Sequence, residues 1–583
     1  MADPEIEILT PPDAVPEKIV IVGAVAGGAS AAARARRLDE ACDIVLIERG
    51  EEPSFANCGL PYYVGGEIDD RDKLLVAPAK RLRERLRLDV RTRCECVSID
   101  RARKTVRVLE LDSGQEYVES YDKLILSPGA APLRPDLPGV DSPRVHTLRN
   151  LVDADRMLSA TTNAKRAVVI GGGFIGLEMA ENLIRRGVET TLIERNSQLL
   201  TPWDPEMVSP IATAVEQRGV ALRLNETVTG FEDADGSLVV QTASGESVAA
   251  DFAVLAIGVR PEDTLAREAR LEVDPRGGIL TDASMQTSDP DIYAVGDAVV
   301  VQHAVTGKPT RVPLAGPANR QGRLAADACF GRESTFRGVQ GTAIVGFFDR
   351  TVAMTGLDEA ACEAAGYRYE KVYAHPPDHA GYYPGAEKLS LKLLFNPTSG
   401  KVLGAQAVGG RGVDKRIDVI AMAIQARMTV FDLEESELCY APQYGSAKDP
   451  VNIVAFIAAG VVRGDHPVVH AAELALDDDV AVIDVRTPAE FDRGAINGAI
   501  NVPVDELRGR LDDVPDDRPL VVYCQVGMRG YLAARILLQS GFPEVRNLSG
   551  GYTTWQSWQA AQPRRSVDET SIRKSSSGTP VQS

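Results

Sequence analysis

The chain has 583 residues, 44% hydrophobic and 25% charged, an ordinary globular composition that excludes a disordered, collagen-like or fibrous protein. At roughly 150 residues per domain, this length suggests about four domains. Lysine plus arginine number 64 against 83 acidic residues, a net charge of −19, which argues against a general binder of nucleic acid or anionic membrane and leaves room for local basic pockets.

Residues 1–16 read as a flexible leader, acidic and proline-rich, without the basic and apolar segments of a signal peptide. No apolar run of about 20 residues is present to span a membrane. The eight cysteines, Cys42, Cys58, Cys94, Cys96, Cys329, Cys362, Cys439 and Cys524, are too few for a disulfide scaffold. A cytoplasmic, reducing setting is expected, where a special cysteine serves chemistry rather than cross-linking. No metal centre is expected.

From Lys18 the chain reads strand, glycine loop, helix, strand. Lys18–Val22 is a short apolar run, Gly23-Ala-Val-Ala-Gly27-Gly28 follows, and Asp43–Glu48 closes the unit with an acid. The pattern recurs at Ala167–Ile170, with Gly171, Gly173 and Gly176 in the loop and Thr190–Glu194 as the closing strand. Such glycines permit a tight turn, backbone approach to a pyrophosphate and close helix packing, and the helix N-terminus offers free N–H groups to phosphate. The second unit fits fully. In the first, Val25 stands where the middle glycine belongs, and the Gly27-Gly28 pair is expected to compensate. Glu48 and Glu194 are each expected to accept hydrogen bonds from an adenosine ribose. A carboxylate at Glu194 disfavours a 2′-phosphate and so favours NADH over NADPH, with Arg186 and Arg195 close enough to soften that preference.

Further along, Ser288–Asp297 is a strand ending in Gly-Asp. This segment resembles the second flavin motif of the flavoprotein reductases with two dinucleotide-binding domains, in which the aspartate holds the ribityl chain. Leu126–Ala130 and Ala256–Pro261 resemble the crossover motifs of the same superfamily. The resemblance implies an α/β fold of two nested Rossmann-like domains. FAD would lie in 17–150 and 255–337, and NAD(P)H in 151–254. Residues 338–460 change to α+β character, with strand-like text at Lys388–Phe395 and helix-like text at Asp414–Arg427, and the resemblance makes them a dimerisation domain.

Ser54-Phe-Ala-Asn57-Cys58-Gly-Leu-Pro-Tyr62 lies shortly after Glu48 and has no second cysteine at Cys-x-x-Cys or Cys-x₄-Cys spacing. A single cysteine can cycle between thiolate and mixed disulfide, or thiolate and sulfenate. The segment resembles the coenzyme A-disulfide reductase branch, close kin to NADH oxidases and peroxidases. That resemblance makes Cys58 the redox cysteine, places Ser54 and Asn57 at the substrate, and puts Arg34 and Arg37 of the Ala29–Arg37 helix against coenzyme A phosphates. It brings Tyr382 and Tyr440 to the active site, partly from the other subunit of a homodimer, where their hydroxyls would orient or protonate a leaving thiolate. Lys448 matches a further coenzyme A contact. Cys94 and Cys96 read as two residues on one strand face, with a structural role.

After the Val462–Pro467 junction, residues 466–560 alternate strands (Val480–Val485, Leu520–Tyr523) with helices, and 563–583 reads as a disordered tail. Cys524-Gln-Val-Gly-Met-Arg529-Gly lies between a strand end and a helix expected at Tyr531–Leu538, where loop N–H groups and a helix dipole stabilise a thiolate or persulfide. With Asp484–Phe491, Gly494–Asn501 and Gly550–Trp555, this region resembles a rhodanese sulfurtransferase domain. Four residues separate Cys524 from Arg529, one fewer than in the Cys-x₅-Arg loop of a phosphatase. The resemblance makes Cys524 catalytic, with Arg529 adding positive charge.

Joined, the two halves imply reduction of coenzyme A persulfide, polysulfide or coenzyme A disulfide through FAD and NADH or NADPH. Coenzyme A would serve as substrate or bound carrier between the two thiols. An NADH oxidase or peroxidase with a Cys58 sulfenate, and a sulfur carrier or redox sensor, remain as alternatives.

Overall fold

Lys18–Val22 sits near the centre of a five-stranded parallel sheet, between Asp43–Glu48 and Lys123–Leu126, with Asp89–Thr92 and Ile292–Ala294 at the edges. Ile19, Val20 and Ile21 are fully buried, as a parallel strand covered on both faces requires. The computed structural model describes residues 15–562 except 235, 334 and 478. The expected leader up to residue 14 and the expected tail from 563 lie outside the described residues.

Helix Ala26–Leu38 follows the first strand and packs on helix Ala315–Cys329. The two backbones meet at glycines, where a Cβ on Gly322 would lie 2.1 Å from the Gly27 carbonyl oxygen. Strand Ile292–Ala294 and this second helix come from far along the chain. The first unit is therefore split in sequence around a second parallel sheet, ordered Ala221–Arg223, Glu189–Ile193, Arg166–Ile170, Phe252–Leu255, Val145–His146. The expected limits of 151–254 cut this unit short at both ends. Val145 and His146 already pair with Ala253 and Val254, and Leu255 still pairs with Ile170. An edge strand of two residues carries no alternation that a sequence pattern can detect.

An antiparallel sheet follows, ordered Ala343–Phe347, Arg350–Gly356, Val402–Gly409, Ser390–Phe395, Glu370–Ala374. Helices Val413–Gln425 and Pro450–Arg463 share its apolar core. The strand expected from Lys388 begins at Ser390, and the helix expected to reach Arg427 stops at Gln425, Arg427 itself being left-handed with φ 58°. Lys392 is fully buried, with its ammonium 2.6 Å from Asp204 Oδ2 and also paired with Glu359. Gln406 Nε2 donates to the same Asp204 carboxylate at 2.7 Å. A buried cation is tolerated here because carboxylates surround it, and the cluster fastens the antiparallel unit to the second nucleotide unit.

From His466 onward the described chain forms a second compact body. Its sheet is parallel, ordered Val468–Val469, Val545–Leu548, Leu520–Tyr523, Ala481–Asp484, Ile500–Asn501. Helix Met528–Gln539 starts three residues before the expected Tyr531, because Gly527 turns the chain with φ 99°. Among the described residues, no helix is long and apolar enough to cross a membrane.

The Gly27–Gly322 contact sets a testable requirement. Gly322→Ala should destabilise the first unit by about 1–3 kcal/mol, since the obstructing atom is backbone and cannot swing away. Thermal unfolding measures this, and an unchanged midpoint would show that the helices separate freely.

Candidate functional site

The two glycine turns are built alike. A Cβ on Gly28 would lie 1.8 Å from Gly23 O, and one on Gly176 would lie 1.8 Å from Gly171 O. The strand-closing acids clasp these turns in the same way. Glu48 accepts from Ala24 N at 2.8 Å and Gly50 N at 2.7 Å. Glu194 accepts from Gly172 N at 2.6 Å and Asn196 N at 2.8 Å. Neither following helix has a capping side chain at Val25 or Gly173, so first-turn N–H groups stay available to an anionic ligand. Nothing lies within 4 Å of a Cβ on Gly173, so the fold itself does not require a glycine there. Gly27 lines the cleft at this turn and is also tightly packed, where a Cβ would meet Ser127 Oγ at 2.8 Å and Val295 Cγ2 at 2.9 Å.

The first turn opens onto a cleft of about 720 Å³ lined by Gly23, Val25, Glu48, Asn57 and Asp297. The Gly296–Ala298 turn presents Asp297, and Gly296 N donates to the buried Gln321 at 2.7 Å. Burial raises the Asp297 carboxyl above its ordinary range, while Arg149 works against it. The glycine turn, Glu48 and Asp297 thus line one cleft. Cys94 and Cys96, expected to be structural, also line it.

Cys58 is exposed in the short turn Asn57–Gly59, ahead of helix Leu60–Gly65. The loop is fastened to the first glycine turn by Ser54, whose N–H donates to Ala24 O at 2.8 Å. Ser54 holds this position in the left-handed region, with φ 50°, a conformation that costs energy for a residue with a Cβ. Partial burial pushes the Cys58 thiol up, and the nearby Glu178 and Asp297 carboxylates add to this. The chain's own groups therefore favour thiol over thiolate. Glu178 lies on helix Phe174–Arg185 and accepts from Tyr62 OH at 3.2 Å. Desolvation pushes its carboxyl up to about 7, and Glu181 adds to this. Sequence reasoning missed Glu178 and Tyr62, because a contact across 116 positions leaves no local signal.

Tyr382 and Tyr440 come together, their hydroxyls 2.8 Å apart on an exposed face of the antiparallel unit. The loops carrying them are joined by Ala380 N, which donates to Gly445 O at 3.0 Å. Beneath them the buried Arg416 donates to Asp378 O at 2.6 Å and pairs with Asp449 at 3.0 Å. Lys448 and Arg37 are exposed. Arg34, expected to meet phosphates, gives its guanidinium to Asp327 at 2.6 Å, so any phosphate would compete with that pair.

In the second body, Cys524 directly follows strand Leu520–Tyr523, and Gly527 N donates to its Sγ at 3.2 Å. The sulfur is fully buried behind the loop. Arg529 is bound bidentately to Glu490, at 2.8 and 2.6 Å, and Cys524 also acts on its guanidinium. Arg486, not singled out in the sequence, is buried, pairs with Asp484 at 2.7 Å and donates to Gln525 Oε1 at 3.1 Å.

The contrast between two glycines is testable. Gly173→Ala should keep its stability while raising KM for the nicotinamide dinucleotide about tenfold. Gly176→Ala should lose stability instead. Steady-state kinetics and thermal unfolding of both variants check this; equal behaviour would contradict the assignment.

Residues 17–322 match the pyridine nucleotide-disulphide oxidoreductase family, 342–449 its dimerisation domain, and 469–557 the rhodanese-like domain. A coenzyme A disulfide reductase of Staphylococcus epidermidis is 38% identical over 76% of this chain and 99% of its own. The reduced CoADR-RHD structure of Bacillus anthracis is 46% identical, with TM-score 0.91, covering 93% of this chain and 98% of that one. An NAD-dependent persulfide reductase from A. fulgidus is 37% identical, with TM-score 0.87, covering 92% of this chain and 100% of that one. With two matching nucleotide turns, a single exposed cysteine beside the first and a second cysteine in a rhodanese-like loop, the chain belongs to the pyridine nucleotide-disulphide oxidoreductase family.

Proposed function

We propose that this chain is an FAD-dependent NAD(P)H oxidoreductase that reduces coenzyme A persulfide, polysulfide or coenzyme A disulfide at Cys58, with Cys524 handling sulfane sulfur. The observation that carries the reading is the lone Cys58 strapped by Ser54 to the first glycine turn, in a chain that keeps a second cysteine in a cradle of its own. The relatives named coenzyme A disulfide reductase and persulfide reductase support it.

Glu48, Asp297 and the Gly23 turn would hold FAD. Glu194 and the Gly171–Gly176 turn would hold the nicotinamide dinucleotide, and the fixed Glu194 carboxylate favours NADH. Bound flavin supplies a two-electron relay from NAD(P)H to sulfur. Cys58 Sγ attacks a substrate S–S bond; a new S–S bond forms at Cys58 and the leaving sulfur departs with the electron pair of the broken one. Two electrons then cleave the mixed disulfide, restoring the Cys58 thiolate and releasing the other half of the substrate as a second thiolate. The Tyr382–Tyr440 pair lies on an exposed face, suited to offering a proton to the leaving thiolate of a second copy's site in a homodimer. Glu178, its carboxyl pushed up to about 7 by burial, is suited to hold or release a proton near Cys58 around neutral pH. Arg37 and Lys448 are the exposed cations available to coenzyme A phosphates. The cytoplasm, with its reduced thiols, suits this chemistry.

Anaerobic steady-state assays with polysulfide and coenzyme A disulfide, set against oxygen and peroxide, test the reading. Cys58→Ser should abolish all reductase turnover, and Cys524→Ser should lower polysulfide turnover about tenfold or more. Unchanged polysulfide turnover in Cys524→Ser, together with dominant peroxide turnover, would replace this reading with a peroxidase that uses a Cys58 sulfenate.

A further inference from the structure

The loop around Cys524 is short of free positive charge. Two arginines bond to this loop or act on its sulfur, and each is matched by its own carboxylate. Arg486 holds Asp484 through Nε and Nη2, at 3.0 and 2.7 Å. Arg529 holds Glu490 at 2.8 and 2.6 Å. Glu490 is held further: the Oε2 that accepts from Arg529 Nη1 also accepts from Thr487 N at 3.1 Å and Thr487 Oγ1 at 3.0 Å, the capping box of the turn Pro488–Phe491. A carboxylate fixed in this way keeps its partner neutralised better than a free surface pair does. The remaining loop side chains add no charge. Gln525 is bonded at both ends, to Arg486 and to Thr553 at 3.1 Å, Val526 is apolar, and Met528 is apolar and 63% exposed. The N–H of Gly527 serves the Cys524 sulfur itself.

We infer that Glu490 is a charge filter for the Cys524 site: by neutralising Arg529 it disfavours thiosulfate, whose two charges lie directly beside the transferred sulfur, and reserves the site for persulfides and hydropolysulfides, whose reacting end carries one negative charge or none. The inference rests on Cys524 being the sulfur-accepting thiol. With a persulfide, the Cys524 thiolate attacks the terminal sulfur of R–S–SH. The Sγ–S bond forms, the donor S–S bond breaks, and R–S⁻ leaves with its electron pair, giving Cys524–S–SH. With thiosulfate, the same attack expels sulfite dianion and leaves Cys524–S–S⁻. That route brings three negative charges together in a loop whose arginines are already paired, so repulsion falls on binding and transition state alike.

The filter predicts a gain, which damage to the loop would not produce. Glu490→Gln keeps the capping box, since glutamine also serves at that position, and frees the charge of Arg529. In full-length holoenzyme, sulfur transfer to a thiol acceptor from thiosulfate (read as sulfite released) and from a low-molecular-weight persulfide is compared. The thiosulfate-to-persulfide ratio of kcat/KM should rise about tenfold in Glu490→Gln, chiefly through a lower KM for thiosulfate, and added salt should erode the gain. Met528→Lys adds a cation at the start of the helix without touching the pair and should shift the ratio the same way, which keeps the test decisive if the first variant folds poorly. An unchanged ratio in the folded variants would overturn the filter. Thiosulfate turnover that persists in Cys524→Ser would instead overturn the underlying assignment of Cys524.

Discussion

A carboxylate closing one strand clasps the glycine turn that leaves its neighbour, and the chain does this twice. Glu48 bonds Ala24 N, and Glu194 bonds Gly172 N. In both turns a Cβ on the third glycine would lie 1.8 Å from a carbonyl oxygen, so strand, turn and helix can approach this closely only as they are. The rest of the flavoprotein half is arranged from these turns. Ser54 hooks the Cys58 loop onto Ala24 O, the cleft runs from Gly23 to Asp297, and helix Phe174–Arg185, launched by the second turn, carries Glu178 to the neighbourhood of Cys58.

The two cysteines proposed for the chemistry are held by opposite physics. Cys58 is exposed and faces carboxylates that disfavour its ionisation; its activation must come from what binds beside it. Cys524 is buried and receives a backbone N–H, a device that stabilises an anion without adding a mobile charge. An exposed thiol and a thiol built into its own cradle suit the proposed division between reduction and sulfur transfer. All eight cysteines are unpaired, consistent with thiol chemistry rather than cross-linking.

What was legible in the sequence was local. The glycine turns, their acids about 20 residues on, the Gly-Asp before Ala298 and the two cysteine loops are contiguous patterns whose chemistry follows from residue type and spacing. What was hidden was long-range. The pairing of Arg34 with Asp327 spans 293 positions, and no pattern near Arg34 shows that its charge is engaged. Arg529 and Glu490 lie 39 apart, so the arginine read as added positive charge is in fact balanced. Gly322, in the middle of a helix, announces nothing until Gly27 is seen against it. Cys439, which no surrounding motif flags, is exposed beside Tyr440, because the segment before helix Pro450–Arg463 runs over the surface.

The central claim is that sulfur received on Cys524 is discharged through Cys58. Peptide mass spectrometry of the full-length enzyme, quenched after one equivalent of coenzyme A persulfide under anaerobic conditions and again after NADH, tests it most directly. The account predicts one added sulfur on the Cys524 peptide, removed by NADH with release of hydrosulfide, and retained despite NADH in Cys58→Ser. A Cys524 peptide that never gains sulfur, in an enzyme whose Cys58 accumulates as sulfenate under NADH and oxygen, would contradict it.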